Sequence, residues 1–189
     1  YLAEHPDAYV LAGSTEFGLA VNKRFERPEH IIYVGNVAEL TRVEETPTAW
    51  HVGAAATLDV LEVRFKPLLP DFAEVLRRFG NIANGSPIGD SMPCLLALGE
   101  KLKLRRRNAK GRDEHRSVPL EAFYTGMKKT VLQPGEFIET IEIPKPGTKQ
   151  FRAHKISKRF DQDISATCCA LSWRDDGGVL RDVRVAYNG

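Results

Sequence analysis

Two loops of small, hydrogen-bonding residues carry the strongest chemical signal in this sequence. The first, residues 11–18, reads Leu-Ala-Gly-Ser-Thr-Glu-Phe-Gly and joins a short apolar segment to a helix that begins near Thr15. At such a strand–turn–helix junction backbone N–H groups converge and the helix start adds positive potential, which suits a phosphate group. An ordinary structural connection has the same composition, so both interpretations stay open.

The second loop is denser in small residues. Residues 80–90 read Gly-Asn-Ile-Ala-Asn-Gly-Ser-Pro-Ile-Gly-Asp. Small side chains let a ligand approach the backbone, and the carboxylate of Asp90 can accept hydrogen bonds from sugar-like hydroxyl groups. A binding loop and a purely structural loop are equally compatible with this composition.

A third segment, residues 155–164, packs charges of both signs between two apolar stretches. It reads Lys-Ile-Ser-Lys-Arg-Phe-Asp-Gln-Asp-Ile. One interpretation is an exposed turn held by ion pairs. The other is a lid over a ligand, with Lys155 reaching an anionic or carbonyl group, and spacing alone does not choose between them.

The distribution of histidine and cysteine disfavours a metal site. The histidines occupy positions 5, 30, 51, 115 and 154, with no HExxH motif and no pair four residues apart. Cys94, Cys168 and Cys169 match no zinc or iron–sulfur spacing, so we expect buried thiols and a reducing, cytoplasmic environment. Gly13 and Gly18 have the outer spacing of an ATP-binding phosphate loop, but Leu19-Ala20 replace its Lys-Ser/Thr pair, which disfavours an ATPase.

The overall charge conceals a basic segment. The 189 residues carry a net charge of +2, but residues 101–116 hold eight Lys or Arg against two acidic residues, a local +6 that leaves −4 elsewhere. No aromatic residue interrupts this segment, so a solvated hairpin is favoured over a nucleic-acid site, and a surface for a partner subunit stays open. No apolar run approaches the ~20 residues of a membrane-spanning helix, so no membrane partner is expected.

Hydrophobic periodicity and turn residues predict an α+β protein. The first half reads as α/β, with strands over 9–12 and 31–34, a helix over 15–22, a hairpin over 41–54 and a helix over 70–78. A helix over 90–98, ended by Gly99, precedes a β-rich remainder with strands over 102–104, 137–143, 151–156, 164–173 and 179–187. We expect one domain, 1–189, divided into subdomains 1–66 and 67–189. The chain opens on Tyr1 without an initiator Met, so we expect it to be part of a longer protein.

Four segments, in this order, resemble the FAD-binding domain of the xanthine dehydrogenase small subunit, in the molybdenum hydroxylase family. They are residues 12–18, residues 80–93 (GNIANGSPIGDSMP), residues 135–144 (GEFIETIEIP) and residues 155–166 (KISKRFDQDISA). The resemblance covers nearly the whole chain. It implies a two-subdomain FAD-binding fold of the molybdopterin dehydrogenase type, with an α/β N-terminal half and a β-rich C-terminal half.

The resemblance also implies which residues bind the cofactor. The pyrophosphate and ribityl chain would be wrapped by Val10, Leu11, Ala12, Gly13, Ser14, Thr15, Glu16 and Phe17. The second side of FAD would be held by Gly80, Asn81 and Asp90, with Phe79 near the adenine. Ile138 would pack against the isoalloxazine ring, Lys155 would lie close to it, and residues 158–162 would control access of NAD.

The implied activity is that of an oxidoreductase in which the cofactor performs the chemistry. FAD would take electrons relayed from molybdopterin through 2Fe-2S clusters, on other domains or subunits, and pass hydride to NAD during purine oxidation. The implied partners are the molybdopterin-binding subunit, the iron–sulfur domain and NAD. No catalytic residue and no metal ligand is expected in this chain, because the protein binds and orients the flavin.

Two alternatives remain at this point. One is the medium-subunit flavoprotein of another molybdenum hydroxylase, of the carbon monoxide dehydrogenase type. The other is a scaffold domain that has lost FAD. It arises because relatives have a short Gly/Thr-containing segment where this chain passes directly from Phe79 to Gly80.

Overall fold

The computed structural model of the chain describes residues 1–13, 15–78, 89–126, 129–159 and 165–188. The helices in these ranges are α1 (Thr15–Arg24), α2 (Ala38–Thr41), α3 (Leu58–Phe65), α4 (Pro70–Arg77), α5 (Ser91–Leu98) and α6 (Leu120–Phe123). The strands are β1 (Tyr9–Leu11), β2 (Ile31–Tyr33), β3 (Val43–Glu45), β4 (Ala49–Gly53), β5 (Lys101–Arg107), β6 (Asp113–Pro119), β7 (Tyr124–Gly126), β8 (Lys129–Thr130), β9 (Phe137–Pro144), β10 (Gln150–Ser157), β11 (Ser165–Asp176) and β12 (Val179–Asn188).

A five-stranded antiparallel sheet, in the order β3-β4-β9-β5-β6, lies at the centre of the fold. Strand β9 pairs with β4 on one side and with β5 on the other, so Ile141 stands opposite both Val52 and Leu102. The sheet therefore takes two strands from residues 1–66 and three from residues 67–189. The α+β prediction is confirmed, and so are the two predicted hairpins, β3–β4 and β5–β6.

The N-terminal part is a small β-α-β unit. Strands β1 and β2 pair in parallel with Leu11 opposite Tyr33, and α1 connects them. The amide N of Val34 also donates to the carbonyl O of Leu11 at 2.8 Å. This pairing fixes the end of β1, which precedes α1 in the chain.

The hydrophobic core lies between the central sheet and helices α3, α4 and α5. Its centre is a row of aromatic rings in which Trp50 and Phe65 lie 5.0 Å apart and Phe65 and Phe72 lie 5.3 Å apart, centroid to centroid. Helix α4 begins at Pro70, which suits the first helical turn, and buries Phe72, Ala73, Val75 and Leu76. Helix α5 ends at Gly99, which has a φ of 75°, a left-handed conformation that favours glycine.

A three-stranded antiparallel sheet, β10-β11-β12, covers the other side of α4 and α5. Its inner face buries Cys168, Ala170 and Ser172, and the hydroxyl of Ser172 donates to the carbonyl O of Ala97 at 2.6 Å. Cys94 and Cys168 are buried free thiols, as predicted, while Cys169 is partly exposed. Three short elements, α2, β7 and β8, were not predicted, because two to four residues carry too little periodicity.

The basic segment is an ion-paired hairpin. Arg106 meets Glu114 at 2.8 Å, Arg107 meets Asp113 at 2.9 Å, and Arg105 pairs with Asp113. Each of these contacts joins β5 to β6, so these arginines are paired with carboxylates of the same hairpin. This pairing supports the interpretation of the segment as a solvated hairpin. Among the described residues no helix has the length and apolar character needed to cross a bilayer.

Candidate functional site

A cavity of about 590 Å³ opens where the N-terminal β-α-β unit meets the central sheet. Its volume falls within the roughly 300–1,000 Å³ typical of small-molecule sites. It is lined mainly by apolar side chains and by backbone. The lining residues are Tyr9, Val10, Leu11, Ala12, Gly13, Phe17, Tyr33, Val34, Gly35, Leu40, Val52, Gly53, Ala54, Ala55, Ala56, Thr57, Leu58, Leu61, Leu132, Glu136, Phe137, Ile138 and Ile141.

The first wall is the end of β1 and the turn that leads into α1. Gly13 lies at this turn, and a methyl group added at its Cα would meet no atom of the part of the chain that the structure describes within 4 Å. The backbone at Gly13 is therefore open to the cavity. Phe17, in the first turn of α1, is held by an edge-on contact with Tyr9, with ring centroids 5.0 Å apart. This wall combines exposed backbone with the positive end of a ten-residue helix.

The second wall is a run of small residues, 53–57, between β4 and α3. A Cβ atom at Gly53 would lie 2.2 Å from the carbonyl O of Leu40, so a side chain there requires the backbone of α2 to move. The amide N of Ala55 donates to the same carbonyl O at 2.8 Å. The sequence reasoning missed this wall. Its only local signal is the run Gly-Ala-Ala-Ala after a strand, which also fits an ordinary turn.

The third wall is the segment 132–138 that leads into β9. Glu136 lines the cavity and forms a two-pronged ion pair with Arg116 of β6, with both N–O distances at 2.7 Å. The Arg116 guanidinium lowers the pKa of Glu136, so this carboxylate is ionised at neutral pH. Phe137 and Ile138 follow directly and present an apolar surface to the cavity.

The structure brings many of the predicted FAD residues to this one cavity. Val10, Leu11, Ala12, Gly13 and Phe17 line one wall, and Ile138, more than a hundred positions later in the chain, lines another. Thr15 and Glu16 begin α1 beside the first wall. Ser14, Phe79, Gly80 and Asn81 lie outside the described residues.

Asp90 and Lys155 contact each other between the start of α5 and β10, and they do not line this cavity. Asp90 precedes α5 without capping it through its side chain, and its Oδ2 atom contacts Nζ of Lys155, on β10. The two side chains are 0% and 1% exposed. Lys155 also contacts Oγ of Ser165 at 3.0 Å, whereas Oδ1 of Asp90 has no hydrogen-bond partner among the described residues.

Lys155 also lines a second cavity, of about 410 Å³, between α4 and β10. The polar lining includes Asp71, Glu74 and Arg78. The carboxylate of Asp71 accepts from the backbone N of Ala153 at 3.1 Å, which ties α4 to β10. Within the described ranges, no group of three or more His, Cys, Asp or Glu could hold a metal ion.

Comparison with known proteins places the chain among flavin-binding domains. The family described as "FAD binding domain in molybdopterin dehydrogenase" matches residues 1–146. The chain is 32% identical to the xanthine dehydrogenase/oxidase of Gallus gallus over 99% of this chain and 15% of that protein. It is 28% identical to the nicotinate hydroxylase of Emericella nidulans over 100% of this chain and 16% of that protein. The chain thus spans about a sixth of these relatives.

A bacterial relative and a solved structure match over a larger share of their length. The putative xanthine dehydrogenase FAD-binding subunit of Escherichia coli K12 is 29% identical over 98% of this chain and 68% of that subunit. A chain of the carbon monoxide dehydrogenase of Hydrogenophaga pseudoflava superposes with a TM-score of 0.85 at 23% identity, covering 99% of this chain and 70% of that chain. At this identity, the similarity to the carbon monoxide dehydrogenase chain shows a shared fold. The alignment with the E. coli subunit spans 203 positions against 189 residues here, so that relative carries extra residues within the matched span.

Proposed function

Since the chain belongs to the family of FAD-binding domains in molybdopterin dehydrogenases, we propose that it is the flavin module of an enzyme of the xanthine dehydrogenase type. In this proposal the enzyme oxidises a purine at a molybdopterin site elsewhere. Iron–sulfur clusters on another domain or subunit relay the electrons, and bound FAD supplies the hydride transfer to NAD⁺. The residues of this chain bind the flavin, orient it and exclude water.

One observation carries the proposal: the β1–α1 turn and Ile138 face the same cavity. FAD combines an anionic pyrophosphate with a flat, largely apolar ring, and this cavity offers a wall suited to each. At the turn, the open backbone of Gly13 and the start of α1 suit the pyrophosphate. Phe137 and Ile138 offer the apolar surface that a ring requires.

The resemblance also assigns Asp90 and Lys155 to the cofactor site, although neither residue lines this cavity. Among the described residues the Oδ1 atom of Asp90 is a buried acceptor without a donor, and a sugar-like hydroxyl group could supply one. When no such donor is bound, the ammonium group of Lys155 still compensates the charge of Asp90. We therefore keep both residues in the proposed site as its second, polar side.

The relatives favour the xanthine dehydrogenase branch over the carbon monoxide dehydrogenase branch. Sequence identities of 29% and 32% connect the chain to proteins named for xanthine dehydrogenase. The carbon monoxide dehydrogenase chain, at 23% identity, shares the fold, which both branches have in common. Fold likeness does not identify the electron acceptor.

The acceptor can be tested on the chain itself. The purified protein is incubated with FAD, freed of unbound flavin and titrated anaerobically with NADH. Hydride transfer from NADH to the bound flavin, which also takes up a proton, yields reduced FAD and NAD⁺ and abolishes the visible flavin absorbance. A flavoprotein that NADH leaves oxidised would contradict the NAD assignment. A chain that retains no flavin would support the scaffold alternative.

A further inference from the structure

We propose that the ion pair between Arg116 and Glu136 is a positioning clamp for the cavity wall that faces the flavin ring. The inference rests on the proposed function, in which FAD occupies the cavity. We assign two effects to the clamp. It holds the segment 131–138 in place, and it sets the charge beside the ring.

The geometry of the pair is that of a strong, specific contact. Nε and an Nη atom of Arg116 each donate to a different carboxylate oxygen of Glu136, both at 2.7 Å. The side chain of Glu136 is only 3% exposed, while Arg116 is 37% exposed. Two parallel, charge-assisted hydrogen bonds to a shielded carboxylate fix orientation as well as distance.

The same two residues close the loop that forms the wall. Arg116 also donates to the carbonyl O of Val131 at 2.7 Å, at the start of the loop. At its end, the carboxylate of Glu136 accepts from the backbone N of Gln133 at 2.9 Å. One ion pair therefore holds the loop at three points and joins it to β6.

The loop carries side chains that line the cavity. Leu132 lies within it, and Phe137 and Ile138 follow it on β9. If the clamp is removed, these residues keep their identity but lose their fixed position. A ligand that must order a loose wall binds more weakly, because the ordering entropy is subtracted from the binding free energy.

The charge of Glu136 has a separate consequence. Glu136 lines the cavity and its side chain is shielded from solvent, so the field of its carboxylate is screened less than that of a surface group. A negative charge near the ring opposes the gain of electrons by the flavin. Replacing Glu136 by Gln keeps the shape and removes the charge, and should raise the reduction potential of bound FAD.

The test uses the full chain, with FAD as the probe. Affinity is measured by titration calorimetry, and the midpoint potential by equilibration with a reference dye. Glu136→Gln is expected to bind FAD about tenfold more weakly and to show a higher midpoint potential. The potential separates the two effects, because a variant that loosens the wall but keeps the charge of Glu136 lacks this electrostatic cause of a rise.

The matched control lies on the same hairpin. Arg106 and Glu114 form an ion pair at 2.8 Å with both side chains more than one-third exposed, and neither lines the cavity. Arg106 also donates to the side-chain Oε1 atom of Gln133, in the loop, at 2.6 Å, so the control change is made at Glu114, which leaves that contact in place. Glu114→Gln should leave the FAD affinity within about twofold and the potential unchanged. Arg116→Lys, which keeps the charge but not the two-pronged geometry, provides a second variant should Glu136→Gln fold poorly. It should weaken FAD binding without raising the potential as Glu136→Gln does.

The outcomes separate the clamp from the proposed function. If the unaltered chain binds no FAD, the proposed function fails and the clamp with it. If the unaltered chain binds FAD but the Glu136 and Arg116 variants match it in affinity and potential, the clamp alone is overturned. Equal weakening by Glu114→Gln would also overturn it, because the effect would then belong to the hairpin as a whole.

Discussion

Lys155 and Asp90, 65 positions apart in the chain, form an ion pair that solvent does not reach. Nζ of Lys155 contacts Oδ2 of Asp90, and the side chains are 1% and 0% exposed. The pair joins the start of α5 to β10, so it connects the core helices to the three-stranded sheet. Removing either partner leaves the other charge buried and uncompensated.

We expect Lys155→Met to destabilise the protein by about 3–5 kcal/mol, because Asp90 would remain buried without its counter-charge. The double variant Asp90→Leu/Lys155→Met should recover part of this loss, since it leaves no buried charge. Urea denaturation monitored by circular dichroism gives the free energy of unfolding of the single and the double variant. Arg42→Met is the control, because the Arg42–Glu44 pair is 65% and 51% exposed and should contribute under about 1 kcal/mol. Equal losses of unfolding free energy for Lys155→Met and Arg42→Met would contradict this prediction.

Gly13→Ala should weaken FAD binding without harming the fold. A Cβ atom at Gly13 meets no atom of the described residues within 4 Å, so the methyl group projects into open space at the proposed pyrophosphate wall. An affinity loss of at least about tenfold is expected if the phosphate approaches this backbone. Gly18→Ala is the matched control, since its Cβ atom also meets nothing, it does not line the cavity, and alanine favours the helix. Fluorescence titration with FAD measures the affinity of each variant. Equal affinities for Gly13→Ala and Gly18→Ala would contradict this prediction.

Gly53→Ala should destabilise the fold itself. The new methyl group would lie 2.2 Å from the carbonyl O of Leu40, and backbone of α2 would have to shift to admit it. Overpacking of this kind costs about 1–3 kcal/mol. Gly126→Ala serves as control, because within the described residues its Cβ atom would meet only the flexible side chain of Lys129, at 3.9 Å. The melting temperature of each variant is measured without FAD. A melting temperature of Gly53→Ala equal to that of the unaltered chain would contradict the close approach of Gly53 to Leu40.

The stability of the protein should fall as pH rises from about 4.5 to about 8. Burial raises the pKa of Glu100 from 4.5 to about 8, and within the described residues neither carboxylate oxygen has a hydrogen-bond partner. The unfolded state releases this proton near pH 4.5 while the folded state holds it until about pH 8. Each pH unit in that interval therefore costs about 1.4 kcal/mol of stability.

Two charged neighbours belong to this prediction. Glu121, on α6, reinforces the shift in the pKa of Glu100, and Arg184, on β12, opposes it. Arg184 is already engaged, donating to the carbonyl O of Leu96 at 3.0 Å and to Glu121 at 3.2 Å. Glu100→Gln should flatten the pH profile of the urea midpoint between pH 5 and 8. A variant profile as steep as that of the unaltered chain would show that Glu100 is not the group responsible.

Local patterns predicted the elements well because their causes are local. Pro70 and the apolar spacing that follows it define α4 within eight residues, and Gly99 ends α5 by its own backbone freedom. The buried Leu102 and Leu104 alternate with charged neighbours, which identified β5 as a strand. The resemblance to a flavin-binding family rested in the same way on contiguous motifs, and the match over residues 1–146 confirms it.

The sequence by itself thus determined the α+β class, most elements and the family of FAD-binding domains. Only the tertiary structure decided that Gly13, Gly53 and Ile138 share one cavity, and that Asp90 meets Lys155 instead of lining it. The physical reason is the range of the interactions. Helix ends and strand alternation depend on neighbours within a few residues, whereas the cavity and the buried ion pair depend on how β9 pairs with β4 and how β10 packs against α4, contacts between segments distant in the chain.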